Sequence, residues 1–251
     1  MILLAISLGG VALFVWPFLG LGLPADAPAL AVGLGAVAAL LAVEVGMRRL
    51  DARRLALLAT IAAVDAALRM VVTVGIAGFS PIFFLVLCAG YVLGPRFGFL
   101  AGATSLLASA LVTGGVGPWL PYEMFGTGWM GAAAGFAGLG RSGPPTRRDV
   151  VVLAACGAAL GWIYGALLDV WDWTAFRGDP GVGWVPGMDP RTALQHFGSY
   201  YLTTSLAWDS FRAVGNALAV VLLGAPILLS LRRFNQRFTV EVVPEVPARE
   251  R

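Results

Sequence analysis

Charged and aromatic residues at helical spacing, set in otherwise apolar sequence, mark where this chain has the means for chemistry. Asp65 and Arg69 lie four residues apart, and Asp209, Arg212 and Asn216 fall at i, i+3 and i+7, so each set shares one face of a helix. An unpaired charge in hydrocarbon is costly, so such residues face a bundle interior or a wet cavity and serve as an ion pair, a ligand contact or a proton pathway. For Asp65 and Arg69 the internal pair and the ligand contact stand as equal readings. Residues 114–131, GGVGPWLPYEMFGTGWMG, read as a rigid turn: Pro118 and Pro121 lack a backbone N–H, and Gly114, Gly115 and Gly117 permit dihedrals closed to other residues. Irregular backbone near membrane depth is tolerated where it is buried in protein or lines a cavity, which puts Trp119, Tyr122 and Glu123 on a pocket wall. The plainer alternative is an interfacial loop whose Trp and Tyr belong to the aromatic belt.

Other candidates are weaker. His196 is the only histidine, and near a helix start it reads as a solvated or capping residue, which argues against His-rich metal sites and most His-dependent catalysis. Cys88 and Cys156 sit inside apolar runs as small hydrophobes, with no disulfide or metal framework. No cofactor is implied.

The elements that must position these residues follow from composition. Of 251 residues, 59% are hydrophobic and 12% charged, and the mean hydropathy is +0.83. That lies far above a soluble domain and predicts an all-α integral membrane protein. The net charge of +3 does not point to nucleic acid, because the 17 basic residues, all arginine, cluster between apolar runs, where they set topology. Without lysine the chain has no P-loop, so it does not hydrolyse ATP by that route.

Eight spans are predicted: residues 1–22 with a kink at Pro17, 29–47, 55–75, 81–94, 97–112, 122–139, 150–170 and 200–231. The first lacks a basic n-region and a clear cleavage site, so it reads as a retained helix rather than a signal peptide. On the third, Ala59, Ala63 and Ala67 form a small-residue stripe that admits close approach of another helix, from this chain's own bundle or from a partner. Gly126, Gly128, Gly131, Gly135 and Gly138 promise close contacts on the sixth. Residues 171–199, with Trp171, Trp173 and Trp184, are too long and aromatic for a plain connector and are expected to cap a pocket; an interfacial helix is the alternative. Glu44 is expected to pair with Arg48. Arginines at 48–54, 96, 141–148 and 232–237 fall on one side, with only Arg177 and Arg191 opposite. The positive-inside rule then puts both termini in the cytoplasm of a bacterial-type cell membrane, and the turns at 114 and 171 outside. Asp209, Arg212 and Asn216 should look into the bundle beneath those turns.

Pro81-x-x-Phe84 with Gly90, Gly94-Pro95-Arg96-x-Gly98 and Gly102, the run Gly117-Pro118-Trp119-x-Pro121-Tyr122-Glu123-Met124, and Asp209-x-x-Arg212-x-x-x-Asn216 together resemble the substrate-binding S components of energy-coupling factor (ECF) transporters, most nearly the group associated with cobalamin uptake. The resemblance covers about residues 55–237 and implies a six-helix substrate-binding core (48–237); two extra transmembrane helices (1–47) lie outside it, and the cytoplasmic tail (238–251) reads as disordered. It also implies capture of a vitamin-like molecule on the outer face. Transport then needs a transmembrane coupling subunit and two cytoplasmic ATPase subunits, with Ala59, Ala63 and Ala67 as the docking stripe. Trp119, Tyr122, Glu123, Asp209 and Asn216 take the outer-pocket role by the same likeness. Arg212, Trp171 and Trp208 join them as groups able to meet a charge or stack on a ring system. The chain departs from the group's pattern at Glu123, where Gln is usual, and at Arg212, where His is. That leaves the substrate open.

The resulting expectation is a substrate-binding subunit of an ATP-driven importer for cobalamin or a related compound, and not an enzyme. The alternative is a proton-coupled secondary transporter using Asp65, Arg69, Glu123, Asp209 and Arg212 as a relay. An intramembrane protease would have to recruit His196 from beside an outer loop, and a scaffold with structural ion pairs is the remaining class.

Overall fold

Prolines and glycines cut the apolar sequence into helices. The computed structural model of the chain describes residues 1–19, 26–47, 49–71, 80–141, 143–175 and 181–236. Helix α1 (Ile2–Val15) gives way around Pro17 to a 3-10 turn, Trp16–Leu19, and is followed by α2 (Asp26–Gly46), α3 (Ala52–Val71) and α4 (Ile82–Leu93). Gly94, at φ 92°, turns the chain straight into α5 (Pro95–Thr113), where Pro95 occupies the first turn and its missing N–H is not needed. Gly114, at φ 71°, ends α5 in the left-handed conformation that glycine adopts freely. Then come α6 (Leu120–Ala137), α7 (Arg147–Ala175), α8 (Pro190–Tyr200), a π-helical stretch Tyr201–Ser205, and α9 (Leu206–Gln236).

No strand occurs among the described residues, and the protein is an all-α, multi-pass membrane protein. The eight predicted spans correspond to α1 through α7 and the continuous rod of α8 and α9. Five segments, Ile2–Leu19, Pro28–Gly46, Pro95–Thr113, Arg147–Thr174 and Pro190–Gln236, are long and apolar enough to cross a bilayer. The other three fall short for identifiable reasons. Helix α4 is apolar but has only 12 residues, α3 carries Arg53, Arg54, Asp65 and Arg69, and α6 is diluted by Pro121, Glu123 and its glycines. Helix α6 tolerates that polarity because α1, α2, α4, α5 and α7 all pack on it, so its surface meets protein.

Helices α4, α5 and α6 close on one another through glycine, as the α6 glycines promised. A Cβ on Gly90 or Gly98 would collide with the Gly131 carbonyl, and one on Gly138 with the Tyr91 carbonyl. The N-terminal pair is docked on this core. The Phe14 ring lies 5.0 Å from Tyr122, and Trp129 donates to the Ser7 hydroxyl at 3.0 Å. Glu44 pairs with Arg96 at 3.0 Å, because the end of α2 packs beside the start of α5; Arg48, its expected partner, lies outside the described residues.

Much of the stretch 171–199, expected to cap a pocket, is helical, and residues 176–180 lie outside the described residues. Helix α7 runs on to Ala175, and α8 starts at Pro190 behind Asp189, whose carboxylate accepts the Arg191 and Thr192 amides at 3.1 Å. Trp173, Trp184 and Tyr200 bury one another in a small second core. There Trp173 donates to the Val182 carbonyl at 2.6 Å, and His196 Nδ1 lies 2.9 Å from the Gly183 carbonyl. Arg177, Arg237 and the tail expected to be disordered all lie outside the described residues.

Candidate functional site

On α7, Gly157, Gly161 and Gly165 recur every fourth residue, and that stripe is what lets α9 approach. A Cβ on Gly161 would lie 2.9 Å from the Ala213 Cα, and one on Gly165 would overlap the Asp209 carboxylate. The polar residues of α9 therefore project onto α7 as their spacing predicted. Arg212 pairs with Asp209, lies 3.4 Å from the Gly161 carbonyl, and sits over the Tyr164 ring at 5.3 Å. Asn216 donates to the Gly157 carbonyl at 3.2 Å.

Above this contact α6, α7 and α9 diverge around a cavity of about 280 Å³. The start of α6 contributes Trp119 and Glu123, and the last turns of α7 contribute Leu168, Asp169, Trp171 and Asp172. Ser205 comes from the π-helical stretch, and Trp208, Asp209 and Arg212 from α9. Six of the eight residues expected to bind substrate thus share one wall: Trp119, Glu123, Trp171, Trp208, Asp209 and Arg212. Trp119 donates to the Gly115 carbonyl at 3.1 Å, which folds the turn at 114–119 onto itself.

Two expected wall residues are elsewhere. Tyr122 is buried between Phe14 and Trp171, its ring 5.2 Å from the Trp171 ring, so it backs the wall rather than forming it. The segment is helical from Leu120, and successive residues on a helix are about 100° apart, so Tyr122 and Glu123 face different ways. Asn216 is fully buried at the α7–α9 contact, two turns below Asp209. Asp65 and Arg69 do not form the expected ion pair. Asp65 Oδ2 instead accepts from Ser105 of α5 at 2.7 Å, while Arg69 acts electrostatically on Glu123 and Tyr164. A short Asp directed into the helix interface meets α5 first.

Asp169 and Asp172 were not singled out from the sequence. The signal was available: Asp169 continues the every-fourth-residue register of Gly157, Gly161 and Gly165, so it had to share their face. Asp172 accepts the Tyr200 hydroxyl at 2.6 Å, tying α7 to α8 across the cavity rim. On α3 the alanine stripe is exposed. Ala59, Ala63 and Ala67 face outward while Leu58, Ile61, Ala62 and Ala66 face the bundle, so the stripe is not spent on this chain's own packing.

The family model of the ECF transporter substrate-specific component matches residues 53–224, and the chain belongs to that family. No curated protein and no solved structure matches it. Members of this family are the substrate-specific subunits of transporters that work with membrane and ATPase subunits and bind small molecules. The match begins at the start of α3, leaving α1 and α2 outside it.

Proposed function

We propose that this chain captures a vitamin-like small molecule from the outer face in the cavity between α6, α7 and α9, and releases it inward by reorienting against a transmembrane coupling subunit. The observation that carries this reading is the convergence of three tryptophans, four carboxylates and one arginine on a single cavity in a chain of this family. Flat aromatic faces with a few directed polar groups suit a heterocyclic ligand. Cobalamin is the substrate toward which the sequence likeness points, but the cavity size favours a smaller ring. At about 280 Å³ it lies at the bottom of the range of about 300–1,000 Å³ typical of small-molecule sites, far below the bulk of a corrin with its side chains. We assign α1 and α2 (1–47) as an accessory pair, residues 48–237 as the binding core and residues 238–251 as a tail. The exposed stripe of Ala59, Ala63 and Ala67 is the docking face for the coupling subunit, two cytoplasmic ATPases supply the energy, and both termini are cytoplasmic.

Reconstituted alone in vesicles, the chain should bind substrate without transporting it; with coupling and ATPase subunits added, uptake should require ATP. Uptake by the chain alone, driven by a pH gradient, would overturn this reading in favour of the proton-coupled carrier.

A further inference from the structure

More carboxylates than guanidinium groups border the cavity. Glu123, Asp169, Asp172 and Asp209 face it with Arg212, and Arg69 acts on Glu123 from α3. Four carboxylates therefore meet two guanidinium groups. Internal contacts absorb part of this: one oxygen of Asp209 is taken by Arg212, and Asp172 accepts from Tyr200. What is left is specific. The Tyr201 hydroxyl approaches Asp209 and the Ser205 hydroxyl approaches Asp169, yet Oδ2 of each aspartate is buried without a donor in hydrogen-bond geometry, and the Asp209 side chain is only 2% exposed. Buried acceptors of this kind are costly unless a donor or a cation reaches them. Trp119, Trp171 and Trp208 stand around the same space, and tryptophan offers the best aromatic face to a cation.

Resting on the reading of this cavity as the substrate site, we infer that the cargo is a small organic cation, a charged nitrogen in or beside a planar ring, held among the tryptophans with its charge toward Asp169 and Asp209. A bare metal ion suits the site poorly, since among the described residues no three His, Cys, Asp or Glu side chains converge to ligate one. An anionic compound would meet four carboxylates and a single lining guanidinium.

The test titrates the purified full chain, by tryptophan fluorescence and thermal shift, with 1-methylnicotinamide and benzyltrimethylammonium against neutral nicotinamide and cyanocobalamin. The first and third differ by a methyl group and a positive charge. The cation should bind about tenfold or more tightly than nicotinamide, the size of a desolvated cation–π contact. Asp169→Asn, which keeps shape and removes charge, should erase most of that preference while the unliganded protein melts normally. Asp209→Asn, checked the same way, should do so more strongly. Should nicotinamide or cyanocobalamin bind as tightly as its cationic competitors, and Trp208→Ala abolish that binding, the cavity remains a substrate site and the cation inference falls. Should none of the four bind at millimolar concentration, both readings fall.

Discussion

Asp149, at the end of the bundle opposite the cavity, gathers donors from two helices and from the connection between α6 and α7. Its carboxylate accepts from Tyr91 of α4 at 2.9 Å, Arg232 of α9 at 3.1 Å and Arg141 at 3.4 Å, and from both the amide and the hydroxyl of Thr146. Arg232 is itself nearly buried and also donates to the Gly143 carbonyl. Removing the acid leaves a guanidinium and a phenol without their acceptor in a place water reaches poorly. Asp149→Ala should therefore destabilise the protein by about 3–5 kcal/mol, the usual cost of stranding one member of a buried pair. Thermal unfolding in detergent checks this; a loss under about 1 kcal/mol would reduce the cluster to an ordinary surface pair. Asp209 is the contrasting residue, because it borders the cavity and one of its two oxygens is buried without a hydrogen-bond donor. Asp149 is satisfied and structural, while Asp209 is half-satisfied.

Helix α3 divides its two faces between two tasks. Leu58, Ile61, Asp65 and Ala66 turn inward against the bundle, with α5 as the main neighbour, while Ala59, Ala63 and Ala67 look out. Between helices in lipid, a surface of methyl groups gains most from close backbone approach, which a partner helix supplies. Ala63→Trp should leave ligand affinity of the isolated chain unchanged and block co-purification with the coupling subunit, along with uptake. Normal assembly and uptake in that variant would move the docking face elsewhere. The α7 stripe of Gly157, Gly161 and Gly165 has the same chemistry and the opposite use. It is filled by α9 and decides where Asp209, Arg212 and Asn216 stand.

The molecule as a whole has polarity along its axis. The cavity lies where α6 begins and α7 ends, while Arg96, Arg141 and Arg232 gather at the other end around Glu44 and Asp149. On the proposed topology the arginine-rich end is the cytoplasmic one, as the positive-inside rule expects. A cysteine at Arg148, exposed at the start of α7, should be shielded from impermeant thiol reagents in intact cells, whereas one at Leu194 on α8 should react. Cys88 is buried and Cys156 lies within α7, so the native background is low. The reverse labelling pattern would place the cavity on the inner face and end the importer reading.

By itself the sequence determined the class of fold, the number and order of the helical rods, and the shared face of Asp209 and Arg212. These follow from hydropathy and helical period, both local properties of the chain. Six of eight expected wall residues came together for the same reason: each lies near the predicted outer end of a rod. Only the tertiary structure decided what each side chain meets. Tyr122 was turned from the cavity by an unforeseen helix start at Leu120, and Asp65 was taken from Arg69 by Ser105 across the α3–α5 contact. Asn216 was drawn to a glycine carbonyl of α7. These contacts are made with residues close in space but distant in sequence, and periodicity along one helix carries no information about the helix beside it. The acid cluster of the cavity is legible only there, because Asp169 and Asp172 become part of one site with Glu123 and Asp209 once α6, α7 and α9 are packed.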